Sequence, residues 1–319
     1  MTLAWAGFLG RKVGVLVVTL LIASLAIFLC LYLAPGDPAT VIAGGTKPNP
    51  AVLAHIRLEY HLDDPWWQQY LRWLKGVVTG DMGTSFVYHT SVASLLRARA
   101  FSTALLVMYA GAIIVGVGVA AGVMSSLRGR FARTIINVAT TIAMGAPTFV
   151  VAVVLITIFS TGLSWFPIYG SGSGLLGRLD HLTLPAIALS LSFLAYVASI
   201  TRAAVDEEKS AEHVDTARSR GLRERLITRR HVLRNAAAPI LTVSGISVAG
   251  LFSGTAVAEQ AFGVQGLGSL LVDAAAKKDL AVVQMISLLM VAAFVIVNVL
   301  VDTINAVLDP RLTMERGRA

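Results

Sequence analysis

Asp215-Thr216-Ala217, three further residues and Gly221, followed by Leu222-Arg223-Glu224-Arg225-Leu226, lie within a basic, polar stretch from Asp206 to Pro239. Ala211, Val214 and Ala217 recur at helical spacing, Gly221 breaks that helix, and Leu222, Leu226 and Ile227 make a second short face. Two short helices at an angle, apolar on one side and basic on the other, have the chemistry of association: they suit a groove on a cytosolic protein. The same residues also read as a basic loop that fixes topology and touches anionic lipid. Composition alone leaves both readings open.

Bond-making chemistry finds no support. Gly172-Ser173-Gly174-Leu175-Leu176-Gly177 matches a dinucleotide fingerprint letter for letter, but it follows Trp165-Phe166-Pro167 with no strand before it, so it reads as a flexible outer loop. Gly44-Gly45-Thr46-Lys47 lacks the spacing of a phosphate-binding loop, which occurs nowhere in the chain, so ATP is not bound through such a loop. His55 and His61 are six apart, without a helical-face ligand pattern or a nearby cysteine. No serine stands in a nucleophile-elbow setting. The lone Cys30 excludes an internal disulfide framework and a cysteine-based zinc site.

The polar stretch is positioned by apolar ones. Of 319 residues 56% are hydrophobic and only 14% charged, well below the roughly 25% of soluble domains. Six nearly uncharged segments read as spanning helices of about 20 residues: Val13–Leu33, Ser102–Val123, Ile135–Thr161, Leu182–Thr201, Ala236–Ala258 and Ala281–Ala306. The first is too long for a signal-peptide core and no small-x-small cleavage site follows it. With the amino terminus in the cytosol, 17 of the 26 Lys and Arg residues fall inside, and the short Ser125–Arg133 connection votes most strongly for that orientation. The net charge of +8 therefore belongs to topology and anionic lipid, not to nucleic acid. Both termini are inside, and Trp5, Trp66, Trp67 and Trp165 fall near proposed membrane ends or in the outer segment.

Ala34-Pro35-Gly36-Asp37-Pro38 ends the first span on the outer side. Pro65 then starts an amphipathic helix with Trp66, Tyr70, Trp73, Leu74 and Val77 on one face, suited to packing on the bundle or to receiving an outer partner. Gly118-x-x-x-Gly122 and Gly250-x-x-x-Gly254 permit close helix approach within a bundle or between subunits. Pro147, Pro185 and Pro239 are candidate kinks. Asp302 is the one ionisable group read inside a span; a string of them, as in proton-coupled carriers and voltage sensors, is missing. Inverted repeats of broken helices are not evident either, which disfavours a stand-alone channel or secondary carrier. An intramembrane enzyme lacks any acid, base or metal constellation.

The polar stretch also resembles a known motif. Asp215-Thr216-Ala217-x-x-x-Gly221 resembles the Glu-Ala-Ala-x-x-x-Gly motif of binding-protein-dependent ABC importer permeases, and Thr216–Leu222 with Arg230-His231-Val232-Leu233-Arg234-Asn235 and Pro239 is similar to its peptide and nickel branch. The likeness continues through Leu33–Pro38, Gln69-Tyr70-Leu71-Arg72-Trp73-Leu74, Gly80-Asp81-Met82-Gly83, Glu259-x-x-Phe262 with Gly266-Leu267-Gly268, Val301-Asp302 and Leu308-Asp309-Pro310-Arg311. Asp215 and Thr216 replace Glu and Ala, and the interval to Pro239 is long; both are usual in the peptide branch and count against a sugar importer.

The resemblance implies an all-α integral membrane protein of type I importer permease fold in a prokaryotic cell membrane. Residues 1–99 would form the first span and outer region, and residues 100–319 a five-helix core with a coupling loop at about 206–235. It implies a B-type, non-catalytic subunit of a dipeptide or oligopeptide importer, with nickel or another small solute as the alternative cargo. A homologous permease would complete the pathway, two ATPase subunits holding ATP and Mg would dock on the loop, and a solute-binding protein would deliver cargo outside. Ala211, Val214, Ala217, Leu222 and Leu226 would then supply apolar contact and Gly221 the turn. Arg218, Arg220, Arg223 and Glu224 would supply charge pairing, beside Asp215 and Thr216 of the motif.

Overall fold

The computed structural model describes residues 2–33, 36–43, 49–170 and 172–308, nearly all helical. The Ala34-Pro35 breakers, the Gly44-Gly45-Thr46-Lys47 run and the closing Asp309-Pro310-Arg311 lie outside the described residues. In chain order come α1 (Thr2–Tyr32), α2 (Pro38–Ile42), α3 (Pro50–Glu59), α4 (Trp66–Thr79), and a two-residue hairpin of β1 (Thr84–Ser85) and β2 (Thr90–Ser91). Next, α5 (Val92–Ile113) runs through a π turn at Ile114–Gly118 into α6 (Val119–Leu127), followed by α7 (Arg130–Gly145) and α8 (Thr148–Leu155), itself ending in a π turn at Ile156–Gly162. The chain continues with α9 (Gly174–Lys209), α10 (Glu212–Ser219), α11 (Glu224–Ile227), a third π turn at Thr228–Val232, and α12 (Leu233–Asn235). It closes with α13 (Ala237–Phe262), α14 (Leu267–Ala276) and α15 (Leu280–Leu308).

Among the described residues five helices are long and apolar enough to cross a membrane, or six if α7 and α8, bent by 109° at the break between them, count as one span. The third span is therefore broken, where the sequence reading gave one continuous helix over Ile135–Thr161. The cause is Pro147, which has no N–H and leaves the Ala143 carbonyl without its helical donor. Ser192 of α9 answers this: its Oγ lies 3.2 Å from the carbonyl oxygens of both Ala143 and Ala146. The Ala143 carbonyl also accepts from the Ala146 N–H at 3.4 Å, so Ser192 adds a second donor there and offers one to Ala146, where an unpaired carbonyl in hydrocarbon costs several kcal/mol.

The chain divides into two compact units, Met1–Thr103 with Gln265–Ala293, and Ala104–Val264 with Phe294–Ala319. In the first, α4 has the amphipathic face expected from Pro65: Trp73 and Val77 pack against a core that includes Val92, Leu96, Leu270 and Ile286. A Ser24–Tyr70 hydroxyl pair at 3.0 Å ties α4 to α1. That core accounts for the grouping of the residues following α13 with the amino-terminal ones. Buried Asp279, just before α15, accepts a hydrogen bond from Ser85 of the hairpin.

In the second unit α9 is the central helix, packed against α6, α7, α8 and α13. It runs over 36 residues, well past the expected Leu182–Thr201, because charges end an apolar run without ending a helix; Arg, Glu and Lys are good helix formers. Its start also absorbs Gly174–Gly177, so only the first part of the glycine-rich segment is loop. Glycines let the neighbours reach it. A Cβ on Gly122 would lie 2.5 Å from the Ala198 carbonyl oxygen, and one on Gly118 3.0 Å from that of Leu194. On the other flank, a Cβ on Gly250 would meet Phe193 at 3.0 Å and one on Gly254 would meet Leu189 at 2.8 Å. Both small-residue motifs thus serve packing within this chain. Asp302 is not the only acid within a helical span, since Glu259 near the end of α13 is fully buried.

Gly122→Ala should therefore lower the thermal midpoint in detergent, an overpacking cost of about 1–3 kcal/mol. Gly116→Ala, where nothing lies within 4 Å, should leave it unchanged or raise it slightly. Equal effects of the two would show that the glycine seam does not set the packing.

Candidate coupling surface

The polar stretch folds as two short helices, α10 and α11, set apart by a turn at Gly221. Arg220 is the C-cap of α10 and Gly221 follows with φ +73°. The Gly221 N–H donates to the Arg218 carbonyl at 3.0 Å and the Leu222 N–H to the Ala217 carbonyl at 3.3 Å. This paired pattern closes the helix on a left-handed residue, a conformation that side chains other than glycine and asparagine resist. No atom lies within 4 Å of a Cβ placed on Gly221, so its backbone angle and not crowding calls for glycine.

The apolar stripe turns inward. Val214 is 0% exposed and Ala217 5%, and they join Ala204, Val205, Ile227, Val232, Ala236 and Ile240 in one cluster of the second unit. Ala211 is half-buried. Val214 and Ala217 therefore pack on their own chain, where the sequence led us to expect apolar contact with another subunit. Helical spacing identified the stripe but not the side it faces. Leu222 and Leu226 remain outward, 37% and 43% exposed, and Thr216, Arg220 and Arg223 are exposed beside them.

The charges are also used within the loop. Arg218 Nε donates to Glu224 Oε1 at 2.8 Å and its Nη1 to Asp215 Oδ1 at 2.8 Å, so one guanidinium spans the Gly221 turn. The Arg218 hydrogen bond holds the Glu224 carboxyl below the usual glutamate range, and Glu224 in turn raises Arg218. Asp215 and Glu212 sit in the first turn of α10 and Arg218 in its last, each at the helix end where the dipole favours its charge.

A second set of contacts, which the sequence reading missed, holds the end of α9. Asp206 accepts from Ser126 Oγ at 2.5 Å and pairs with Arg133 at 2.8 Å, while Lys209 Nζ donates to the Ser126 carbonyl at 2.9 Å. The short connection between α6 and α7 is thereby fastened to the helix that leads into α10. Arg133 had been read only as a topology signal. The available hint was one acid, Asp206, at the polar end of an apolar run.

The loop thus sits between two long apolar helices, with Leu222 and Leu226 outward. In fold, this chain is similar to the MetNI methionine ABC transporter, solved in an inward-facing conformation, with a TM-score of 0.57 at 17% identity over 67% of this chain and 96% of that one. The chain belongs to the family of binding-protein-dependent transport system inner membrane components, whose model matches residues 112–314, with the family's N-terminal model matching residues 6–106. Similar relatives include a probable peptide ABC transporter permease of Sinorhizobium fredii, 35% identical over 95% of this chain and 97% of its own. The oligopeptide transport system permease OppB of Salmonella typhimurium is 36% identical, and the glutathione transport system permease GsiC of Pectobacterium atrosepticum 34%, each over 96% of this chain and 98% of its own.

Two outcomes follow from the loop geometry. Gly221→Asn should keep the turn, whereas Gly221→Val should cost about 1–2 kcal/mol of local stability through the left-handed backbone; hydrogen exchange of α10 amides reads the difference, and equal protection in both variants would refute it. A spin label at Leu222→Cys reads the Arg218–Glu224 bridge. Glu224 is depressed in the folded loop, so the bridge is fully formed above the ordinary glutamate value of about 4.3 and fades as pH falls through the lowered one. Label mobility should rise there, and in Glu224→Gln it should be high throughout; a flat wild-type profile would exclude the bridge as a brace.

Proposed function

We propose that this chain is the permease subunit through which an ATP-driven importer passes dipeptides or oligopeptides. The observation that carries the reading is the 35% and 36% identity, along nearly the whole chain, to permeases named for peptides and oligopeptides. The relative named for glutathione, itself a tripeptide, fits the same cargo class. A homologous permease completes the pathway, two ATPase subunits carry ATP and Mg, and a solute-binding protein delivers cargo on the outer side.

The coupling loop supplies the contact with the ATPase subunits. Leu222 and Leu226 provide the outward apolar contact, and Arg220 and Arg223 provide charge for a matching surface. Asp215, Arg218 and Glu224 keep the turn in one shape, while Val214 and Ala217 lock it to α9 and α13. Closure of the ATPase pair then moves the loop as one piece and rocks the helices, exposing the pathway to each side in turn.

The test is uptake of labelled di-, tri- and longer peptides into proteoliposomes holding the four-subunit complex and its binding protein, with nickel as control. Peptide uptake should require ATP and the binding protein, and Leu222→Asp with Leu226→Asp should abolish it while the complex still inserts. Uptake by this chain alone, without ATP, would overturn the reading. Nickel uptake in place of peptide would overturn the cargo.

A further inference from the structure

The unit formed by Met1–Thr103 with Gln265–Ala293 carries a half-open cavity of about 720 Å³ that the proposed coupling and translocation leave unused. Its volume is that of a small-molecule site. The first candidate span ends at Tyr32, which lines the cavity. Phe28 and Leu31 from the last turns of α1 line it too, with Trp73 of α4 and Leu280 of α15. The Phe28 ring meets Tyr70 edge-on at 5.5 Å and lies beside Trp73 at 6.1 Å, so this part of the lining, its floor, is aromatic.

The rest of the lining carries charge, with Arg57 and Arg72 as well as Asp37, Asp63 and Asp81. Arg57 gives one Nη2 bond to Asp37 at 2.8 Å, and Arg72 one to Asp64 at 2.5 Å. A guanidinium has five N–H donors, so each retains capacity for a phosphate oxygen. Asp63 is 70% exposed and 3.9 Å from Arg57, and Asp81 accepts from the Gly83 N–H through one oxygen only; both retain acceptor capacity for an ammonium. Tyr60 and Tyr32 line the same space and add aromatic faces that attract a cation.

We propose that this cavity binds a zwitterionic phospholipid of the phosphoethanolamine class from the outer leaflet. Its phosphate meets Arg57 and Arg72, its ammonium meets Asp63 and Asp81, and the first acyl carbons rest on Phe28 and Leu31. Two guanidiniums against three carboxylates disfavour a net-anionic headgroup. A short peptide shares the two charges but has no tail to cover the aromatic floor.

The test is native mass spectrometry and thermal-shift titration of the full chain in detergent with palmitoyl-oleoyl phosphatidylethanolamine, the matching phosphatidylglycerol, and trialanine. Phosphatidylethanolamine should bind best and raise the melting temperature. The double variant Arg57→Gln/Arg72→Gln should bind it about tenfold more weakly. Arg97→Gln, an exposed cation outside the cavity, should match wild type. Asp63→Asn removes only an exposed carboxylate, so it should fold normally and narrow the preference for phosphatidylethanolamine over phosphatidylglycerol. Equal or tighter binding of phosphatidylglycerol or trialanine by wild type would overturn the proposal. So would an unchanged phosphatidylethanolamine affinity in both the double variant and Asp63→Asn.

Discussion

Everything in the second unit depends on how closely two helices can approach α9. Lipid tails are as apolar as leucine, so burying side chains between membrane helices gains little from leaving water, and contact distance decides association. Gly118 and Gly122 on one flank and Gly250 and Gly254 on the other remove the side chains that would hold the backbones apart. Buried Leu106, Leu189, Val197 and Leu251 then fill the remaining space. Because both seams meet the same helix, α9 fixes the positions of α6 and α13 together. The polar stretch leaves from its end and returns into α13, so the seams also fix that stretch.

The broken third span depends on the same helix. A proline in a membrane helix strands a carbonyl, and the strand of backbone between α7 and α8 would be costly in lipid if nothing answered it. Ser192 lies on the face of α9 turned to that break. The sharp bend and the serine therefore belong together.

Much of this was legible from residues. Apolar run length located the spans, Pro65 with its aromatic face located α4, and Gly221 marked a helix end that the backbone angle confirms. Family likeness in Thr216–Leu222 agreed with the chain-wide relatives. What escaped were pairings across the chain. Nothing local to Val214 and Ala217 says that they share a buried cluster with Val205 and Ile240, so their stripe was assigned outward. Asp206 with Arg133, Ser192 with Ala143, and Ser85 with Asp279 are likewise distant in sequence. Helix length was missed for a different reason: hydropathy measures where the membrane ends, and a helix rich in Arg, Glu and Lys continues into water. Glu259 was quoted only as a motif letter because it stands one residue past an apolar window.

The length of α9 has a mechanical meaning. At 1.5 Å per residue its 36 residues reach about 54 Å, against roughly 30 Å for the hydrocarbon core. Such a helix is longer than a bilayer crossing requires. A tilt of about 5° about one end shifts the other by nearly 5 Å, taking that ~54 Å length. That displacement is similar to the pitch of one helical turn. α9 stays helical through Pro185, so a rotation at one end would be carried along a single element.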